Sequence, residues 1–298
     1  MLSASTWYGQ VLEVYPHLPH ALLLVFTLSA LLTLHRKSSY YTKSALALVL
    51  VAFVSVVGMG IALVVTLFGR RTDINYYYAR FSSYVIPPLL NVKLVMEGEE
   101  HLRDQVGIIV CNHQSSMDII PLTLIMPRNA VIIAKKIIRF YPFLGIYMIL
   151  ARSIFLDRAR RDKALSTFAD AAKTVREEQV SVFLFPEGTR GHLKCGMLPF
   201  KKGAFHLAQQ AQVPVIPVVV SSYDNVYSSS RKSFPGGTIR IKVLPPLSTK
   251  GLTPEDVTEL TDRTREIMQK TLEDITPDSV KREAELEAKN GDSGDKVE

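Results

Sequence analysis

Residues 45–68 form 24 consecutive positions without a charged side chain, rich in Val, Leu and Ala. A bilayer's hydrocarbon core takes about 20 apolar residues in helical form, and within lipid a single segment must satisfy its own backbone hydrogen bonds as a helix. This run is long enough to span a membrane. An earlier apolar run, residues 21–34, has only 14 positions, and extending it backward meets His20, Pro19 and His17. It fits a short spanning helix, a re-entrant segment or the apolar core of a signal sequence. A cleaved signal fits least well, because no Lys or Arg precedes the run and no clear small-residue cleavage site follows it. Residues 1–75 are therefore expected to be an N-terminal membrane-anchoring segment with two hydrophobic helices.

Charge does not orient this segment simply. Arg36, Lys37 and Lys43 lie between the two runs, and Arg70, Arg71 and Arg80 follow the second. A two-pass hairpin would then carry positive charge on opposite sides, against the positive-inside rule. A hairpin lodged in one leaflet would leave all of these cations at one surface.

The chain has 298 residues and a formal charge of +7, although residues 276–298 hold seven acidic and four basic side chains, so the remainder is more basic still. Such a balance suits an anionic partner. A nucleic acid is disfavoured, because the cations cluster at strand ends and the chain opens with apolar spans. Cys111 and Cys195 are the only cysteines. They form no CxxC or Cys/His cluster, which argues against a disulfide framework or a thiolate zinc site and favours a reducing compartment.

Beyond Pro87 and Pro88 short apolar runs alternate with helical patterns. Residues 92–96, 106–110, 130–134, 153–156, 180–185, 215–220 and 239–243 are expected to be strands; 115–125, 160–178, 202–211 and 254–275 are expected to be helices. Near-continuous apolar strands separated by helices imply an α/β fold, a mixed and mainly parallel sheet sandwiched by helices, preceded here by the N-terminal hydrophobic membrane helices. The α/β domain is assigned to residues 76–275. The tail, 276–298, is charged and poor in large apolar residues, and is expected to be mobile or weakly helical.

Several of these strands end in polar residues capable of chemistry. Asn112-His113-Gln114-Ser115-Ser116-Met117-Asp118 follows an apolar strand. In a regular helix five residues advance about 140° from one face, so His113 and Asp118 would not meet. With His113 in the turn before the helix and Asp118 in its first turn, the carboxylate reaches one ring nitrogen and leaves the other as a base. The plainer alternative is a capping turn with a surface histidine. No second histidine is spaced for a metal.

Phe185-Pro186-Glu187-Gly188-Thr189-Arg190 follows another strand, at the end where open α/β sheets hold ligands. Backbone N–H groups and the Arg190 guanidinium could meet a phosphate, with Gly188 allowing close approach; an ordinary turn with a surface Glu–Arg pair is the alternative. Arg158, in Phe155-Leu156-Asp157-Arg158, is either a second phosphate ligand or the partner of Asp157 or Asp162. Lys135 and Lys136 follow a strand, and Lys201 and Lys202 open a helix; Lys135 and Lys201 are candidate phosphate or coenzyme A contacts, or else solvated surface.

In order, Asn-His-x4-Asp, Phe-Leu-Asp-Arg, Phe-Pro-Glu-Gly-Thr-Arg and Val213-Pro214-Val215-Ile216-Pro217-Val218 resemble the four sequence blocks of the glycerolipid acyltransferase superfamily. Residues 76–275 resemble the 1-acylglycerol-3-phosphate acyltransferases. The resemblance implies that His113 takes the proton from the sn-2 hydroxyl of lysophosphatidic acid while Asp118 holds the imidazole, and that the oxygen attacks acyl-CoA directly. Backbone donors near the helix start or Gly188 would stabilise the oxyanion. Arg158, Glu187, Gly188, Thr189 and Arg190 match positions linked to binding the glycerol phosphate, with Glu187 expected to orient a hydroxyl or Arg190. It implies no cofactor or metal, acyl-CoA being a co-substrate, and a bilayer as partner. The expected location is the endoplasmic reticulum membrane or a lipid droplet, with the catalytic domain facing the cytosol.

Overall fold

The structure is a computed structural model that describes residues 39–103, 105–157, 161–191 and 193–292. The first apolar run, Arg158 and the last six residues of the tail lie outside the described residues.

Helix α1 (Ser39–Leu67) contains the long apolar run. It is followed by α2 (Ile74–Leu89), β1 (Val92–Glu97), the short α3 (Glu100–Arg103), β2 (Ile108–Cys111), a 3-10 turn (Ser116–Asp118) and α4 (Ile119–Ile125). Then come β3 (Ala130–Lys135), α5 (Leu144–Leu150), β4 (Ile154–Leu156), α6 (Arg161–Glu178), β5 (Ser181–Leu184), α7 (Gly203–Ala211), β6 (Val215–Val220), β7 (Gly237–Val243), α8 (Val257–Ile275) and α9 (Asp278–Asp292).

The seven strands form one sheet in the order β1-β7-β6-β2-β5-β3-β4. All neighbours are parallel except β6 and β7. The antiparallel ladder to β7 covers only Val218, Val219 and Val220, starting immediately after Pro217, the residue without an N–H to donate. β2, β5, β6, β3 and β4 thus finish on one edge of the sheet, and β1 and β7 begin there.

Every residue of β2, β5 and β6 is buried, because helices cover both faces. Ile109, Cys111, Phe183, Ile216 and Val218 point to the layer that includes α1, α2, α4 and α5. Ile108, Val110, Val182, Leu184 and Val219 point to the layer of α6, α7 and α8. The alternation follows the period of two along a strand, and the result is an α/β/α sandwich.

α1 is part of this sandwich. Lys43, Ala47, Leu50, Val54, Ser55, Gly58 and Ala62 are buried along one stripe, at the three- and four-residue spacings of a helix face. Small residues let α1 approach closely: a Cβ on Gly58 would sit 2.6 Å from a ring carbon of Tyr78 and 2.9 Å from one of Tyr147. At its start the Lys43 ammonium donates to the Pro235 carbonyl at 2.9 Å and the Ser39 hydroxyl to that of Phe234 at 3.0 Å. The opposite stripe exposes Leu48, Val49, Phe53, Leu63, Val64 and Leu67. The expected boundary after residue 75 falls within the first turn of α2. The tail forms α9, where Val280 is fully buried and Glu283 pairs with Arg231, so its start is anchored to the domain.

Candidate active site

His113 leaves the end of β2 and Asp118 closes the 3-10 turn that follows. The tighter turn brings His113 Nδ1 to 2.6 Å from Asp118 Oδ2, so the carboxylate accepts from Nδ1–H and Nε2 is left to take a proton. The same Oδ2 accepts from the backbone N–H of Gln114 at 2.8 Å and of Ser115 at 3.0 Å. Ser115 Oγ accepts from Met117 N–H at 3.0 Å, completing a capping box with Asp118. The cap and the histidine–carboxylate pair, which are alternatives in the sequence, are one structure: Asp118 does both.

Strands on either side complete the support. The Asn112 side chain donates to the Val220 carbonyl at 2.9 Å and accepts from its N–H at 2.8 Å, tying the end of β2 to the end of β6. Tyr223, three residues past β6, donates its hydroxyl to Asp118 Oδ1, and its oxygen lies 2.9 Å from Ser115 Oγ. Burial, with the Asp118 charge added, pushes the Tyr223 hydroxyl well above the usual phenol range, so it stays a donor. The Phe185 ring, at the end of β5, stacks on the His113 ring with centroids 4.0 Å apart.

Glu187 is 3% exposed. Its Oε1 accepts from the His113 backbone N–H at 2.7 Å and its Oε2 from that of Leu198 at 2.9 Å. Burial raises its pKa above the ordinary carboxylate value in spite of those two amides. Both oxygens hold the backbone around the histidine, a role beyond the contact with Arg190 or a substrate hydroxyl expected of this residue. Gly191 donates its N–H to the His113 carbonyl at 2.8 Å, and a Cβ there would lie 2.9 Å from Glu187 Oε2.

Gly188 has φ +73 and its N–H donates to the Phe185 carbonyl at 3.2 Å; this left-handed conformation is one a glycine adopts at little cost. With Gln114 and Ser115 N–H committed to Asp118, these amides are engaged within the fold. Of the backbone donors expected near the helix start or Gly188 to meet an oxyanion, these three are taken up within the fold. Lys201 packs its stem toward Gly188, at 3.4 Å from a Cβ built there. Thr189 and Arg190 are exposed on the same loop. Arg190 is near enough to Tyr227 for its charge to oppose the burial and the Tyr40 contact that push that hydroxyl up to about 12. Lys135 is exposed at the end of β3, on the same edge but two strands from β2. Lys136 pairs with Asp157 at 3.2 Å and Lys202 donates to Thr258 at 2.8 Å, so both are bonded on the surface.

A cleft of about 330 Å³ opens beside the dyad, walled by Gln114, Ser115, Lys194, Tyr223, Tyr227 and Lys232. The sequence reading missed Tyr223, Asn112 as a lock between strands, and Gly191. Ser221-Ser222-Tyr223 does follow an apolar strand, the one signal that pointed there.

A histidine held by a carboxylate, at the edge where open α/β sheets hold ligands, suits group-transfer chemistry, and residues 93–221 match the Acyltransferase family model. The 1-acyl-sn-glycerol-3-phosphate acyltransferase of Saccharomyces cerevisiae is 36% identical over 237 residues, 79% of this chain and 78% of that protein. The alpha form from Homo sapiens is 40% identical over 211 residues, 70% of this chain and 74% of that one. The crystal structure of the 1-acyl-sn-glycerophosphate acyltransferase PlsC from Thermotoga maritima is similar with a TM-score of 0.63 and 27% identity, covering 83% of this chain and 95% of that one. The chain belongs to the 1-acyl-sn-glycerol-3-phosphate acyltransferase family.

Proposed function

We propose that this protein is a membrane-bound enzyme that moves an acyl group from acyl-CoA to the sn-2 hydroxyl of lysophosphatidic acid, giving phosphatidic acid and free coenzyme A for phospholipid and triacylglycerol synthesis. The observation that carries this reading is the His113–Asp118 pair, 2.6 Å apart at the ligand-binding edge of the sheet, in a chain of this family.

His113 Nε2 accepts the hydroxyl proton as the oxygen attacks the thioester carbonyl, and Asp118 stabilises the imidazolium that forms. Collapse of the tetrahedral intermediate breaks the C–S bond, and the thiolate leaves with the proton held on His113. No acyl-enzyme forms and no cofactor takes part. Arg190, Arg158, Lys135 and Lys201 are the cations proposed to meet the acceptor phosphate or coenzyme A. The amides of Gln114, Ser115 and Gly188 are bonded within the fold, so the oxyanion donor is a different group.

α1 is about 43 Å long at about 1.5 Å per residue, yet its buried stripe runs along the domain from Lys43 to Ala62. A perpendicular span would draw the sandwich into lipid with it. The arrangement favours α1 lying in one leaflet, its exposed Leu48, Phe53 and Leu63 in the acyl chains. On the edge that holds the dyad, Ile137, Phe140, Phe143 and Ile146 are also exposed, in and before α5, which packs on α1. They would bring the active site to the lipid surface. Cys111 and Cys195 are both free thiols, which suits a domain facing the cytosol, at the endoplasmic reticulum or a lipid droplet.

The test is purified full-length protein given one acyl-CoA and equimolar lysophosphatidic acid, glycerol 3-phosphate and lysophosphatidylcholine. Phosphatidic acid is the expected product. Acylation of either other acceptor in preference refutes the acceptor assignment, and no transfer to any of the three refutes the reading.

A further inference from the structure

The cleft of about 330 Å³ beside the dyad is lined by Gln114 and Ser115, whose N–H groups hold Asp118, and by Tyr227 and Lys232 from the loop between β6 and β7. That loop also carries part of the dyad's support. The Tyr223 hydroxyl donates to Asp118, and the Tyr223 carbonyl accepts from the Tyr227 N–H at 2.9 Å. One short turn thus joins the residue that holds the carboxylate to a residue that faces the cleft.

The same loop rests on the first turn of α1. Ser39 and Lys43 donate to the carbonyls of Phe234 and Pro235, and the Phe234 ring meets Tyr227 edge-on with centroids 5.1 Å apart. Tyr40 stacks on Tyr227, with centroids 5.8 Å apart and planes inclined by 23°, and the Lys232 ammonium lies 5.3 Å from the Tyr40 centroid. An aromatic face attracts an ammonium without neutralising it, so this contact fixes the charge at the cleft and keeps it for an anion. Arg190, from the loop after β5, brings its own charge to bear on Tyr227. Asp224, the carboxylate in this wall, pairs with Lys194 at 3.7 Å and Arg231 at 2.8 Å.

Three segments distant in sequence therefore bring an ammonium, a phenol hydroxyl and a guanidinium to the turn that carries His113. Such donors suit a phosphate. In an acylated glycerol phosphate the sn-2 hydroxyl is only a few bonds from phosphorus, so a phosphate in this cleft leaves that hydroxyl next to the dyad. Coenzyme A carries phosphates as well, but this patch is built on the first turn of the apolar helix, which favours an anion that arrives within the lipid layer. We propose that, on the acceptor reading given above, Lys232 and the Tyr227 hydroxyl bind the acceptor's phosphomonoester together with Arg190, and that Tyr40 positions both of them.

Lys232 is exposed, so Lys232→Gln removes the charge without opening the core, and Lys232→Arg restores a cation. Lys250→Gln removes the same unit charge from an exposed position in the loop after β7. Tyr40→Ala takes away the ring that Lys232 and Tyr227 lean on and leaves both of those side chains intact.

The experiment is equilibrium binding of 1-oleoyl-lysophosphatidic acid and of 1-oleoylglycerol, the same lipid without phosphate, to the full chain in detergent with acyl-CoA absent. The wild type should prefer the phosphorylated lipid by about 10²-fold or more. Lys232→Gln should cut that preference about tenfold, and Tyr227→Phe and Tyr40→Ala about threefold each, while Lys232→Arg and Lys250→Gln keep it. In steady-state transfer, Lys232→Gln should raise KM for lysophosphatidic acid and not for acyl-CoA. Equal binding of the two lipids by the wild type, an unchanged preference in Lys232→Gln or in Tyr40→Ala, an equal loss in Lys250→Gln, or a rise confined to the acyl-CoA KM overturns the proposal. Binding that follows the expected pattern without acyl transfer refutes the acceptor's role in the reaction and leaves the phosphate site standing; transfer with an unchanged preference in Lys232→Gln does the reverse.

Discussion

Replacing Asp118 by Asn separates the charge of this carboxylate from its geometry. Oδ2 faces three donors, His113 Nδ1–H, Gln114 N–H and Ser115 N–H, so only an oxygen is tolerated at that point. The amide introduced by Asp118→Asn must therefore place its oxygen there and its NH2 toward Tyr223, whose hydroxyl can turn to accept and donate to Ser115 Oγ, 2.9 Å away. The histidine tautomer is preserved; what is lost is the anion beside the imidazolium. Two unit charges about 4 Å apart at an effective dielectric near 20 interact by about 4 kcal/mol, which is about 10³ in rate. Asp118→Ala differs, because it also strips the partner from Gln114 N–H, Ser115 N–H and the buried Tyr223 hydroxyl, each worth about 1–3 kcal/mol when left unsatisfied. The assays are initial rates of phosphatidic acid formation and thermal unfolding in one detergent. Asp118→Asn should lose about 10³ in kcat with near wild-type unfolding, and Asp118→Ala should lose more and unfold several degrees lower. A wild-type rate for Asp118→Asn, or wild-type stability for Asp118→Ala, would refute this assignment of roles.

Further outcomes follow from the same contacts. Burial raises the Glu187 pKa, so its contribution to stability is present below the ordinary carboxylate value and is lost as pH rises through the folded value. Glu187→Gln should flatten that part of a stability profile measured by chemical denaturation; an unchanged pH slope contradicts it. Gly58→Ala drives a Cβ into the stacked Tyr78 and Tyr147 rings, whose centroids are 4.0 Å apart, and should destabilise the fold by about 1–3 kcal/mol, read as a lower unfolding midpoint; no change would mean that α1 is not packed as described. Phe140→Glu/Ile146→Glu places charge on the exposed apolar surface at the sheet edge that carries His113 and should lower transfer to lipid-presented acceptor in vesicles several-fold while sparing soluble short-chain acceptor; equal effects on both would remove the membrane role of this segment.

The parts of the fold that were legible are those decided by local pattern. β2, β5 and β6 are apolar on both faces, so each announces itself without a partner, and residues 215–220 are found as a strand with its bounds unchanged. The reversal between β6 and β7 is not written in either strand, because apolar alternation carries no direction. α5 was overlooked because its seven residues, Leu-Gly-Ile-Tyr-Met-Ile-Leu, are apolar on every side and show no helical period. α1 presents the same difficulty: its length proclaims a span, while the stripe that packs against α2 and α5 consists largely of small residues hidden among other apolar ones.

The site divides in the same way. His113 and Asp118 were legible because their contact is local and a tight turn satisfies it. Tyr223 meets Asp118 across 105 positions of sequence, and Glu187 meets the His113 amide across 74; such contacts depend on strand order, which the linear pattern does not contain. That Glu187 holds backbone was not legible, since a carboxylate's partners are set by which strands end beside it. Lys136 and Lys202 likewise find surface partners that only the fold brings near.

The proposed acyl transfer to a lipid hydroxyl requires His113 Nε2 as its base. Its most direct test is the rate of phosphatidic acid formation from acyl-CoA and lysophosphatidic acid by purified His113→Ala beside the wild type, with matched folding verified by thermal unfolding. A general base contributes about 10²–10⁴, and loss of at least about 10² in kcat with an unchanged unfolding midpoint is the expected result. A folded His113→Ala protein that forms phosphatidic acid at the wild-type rate would contradict it.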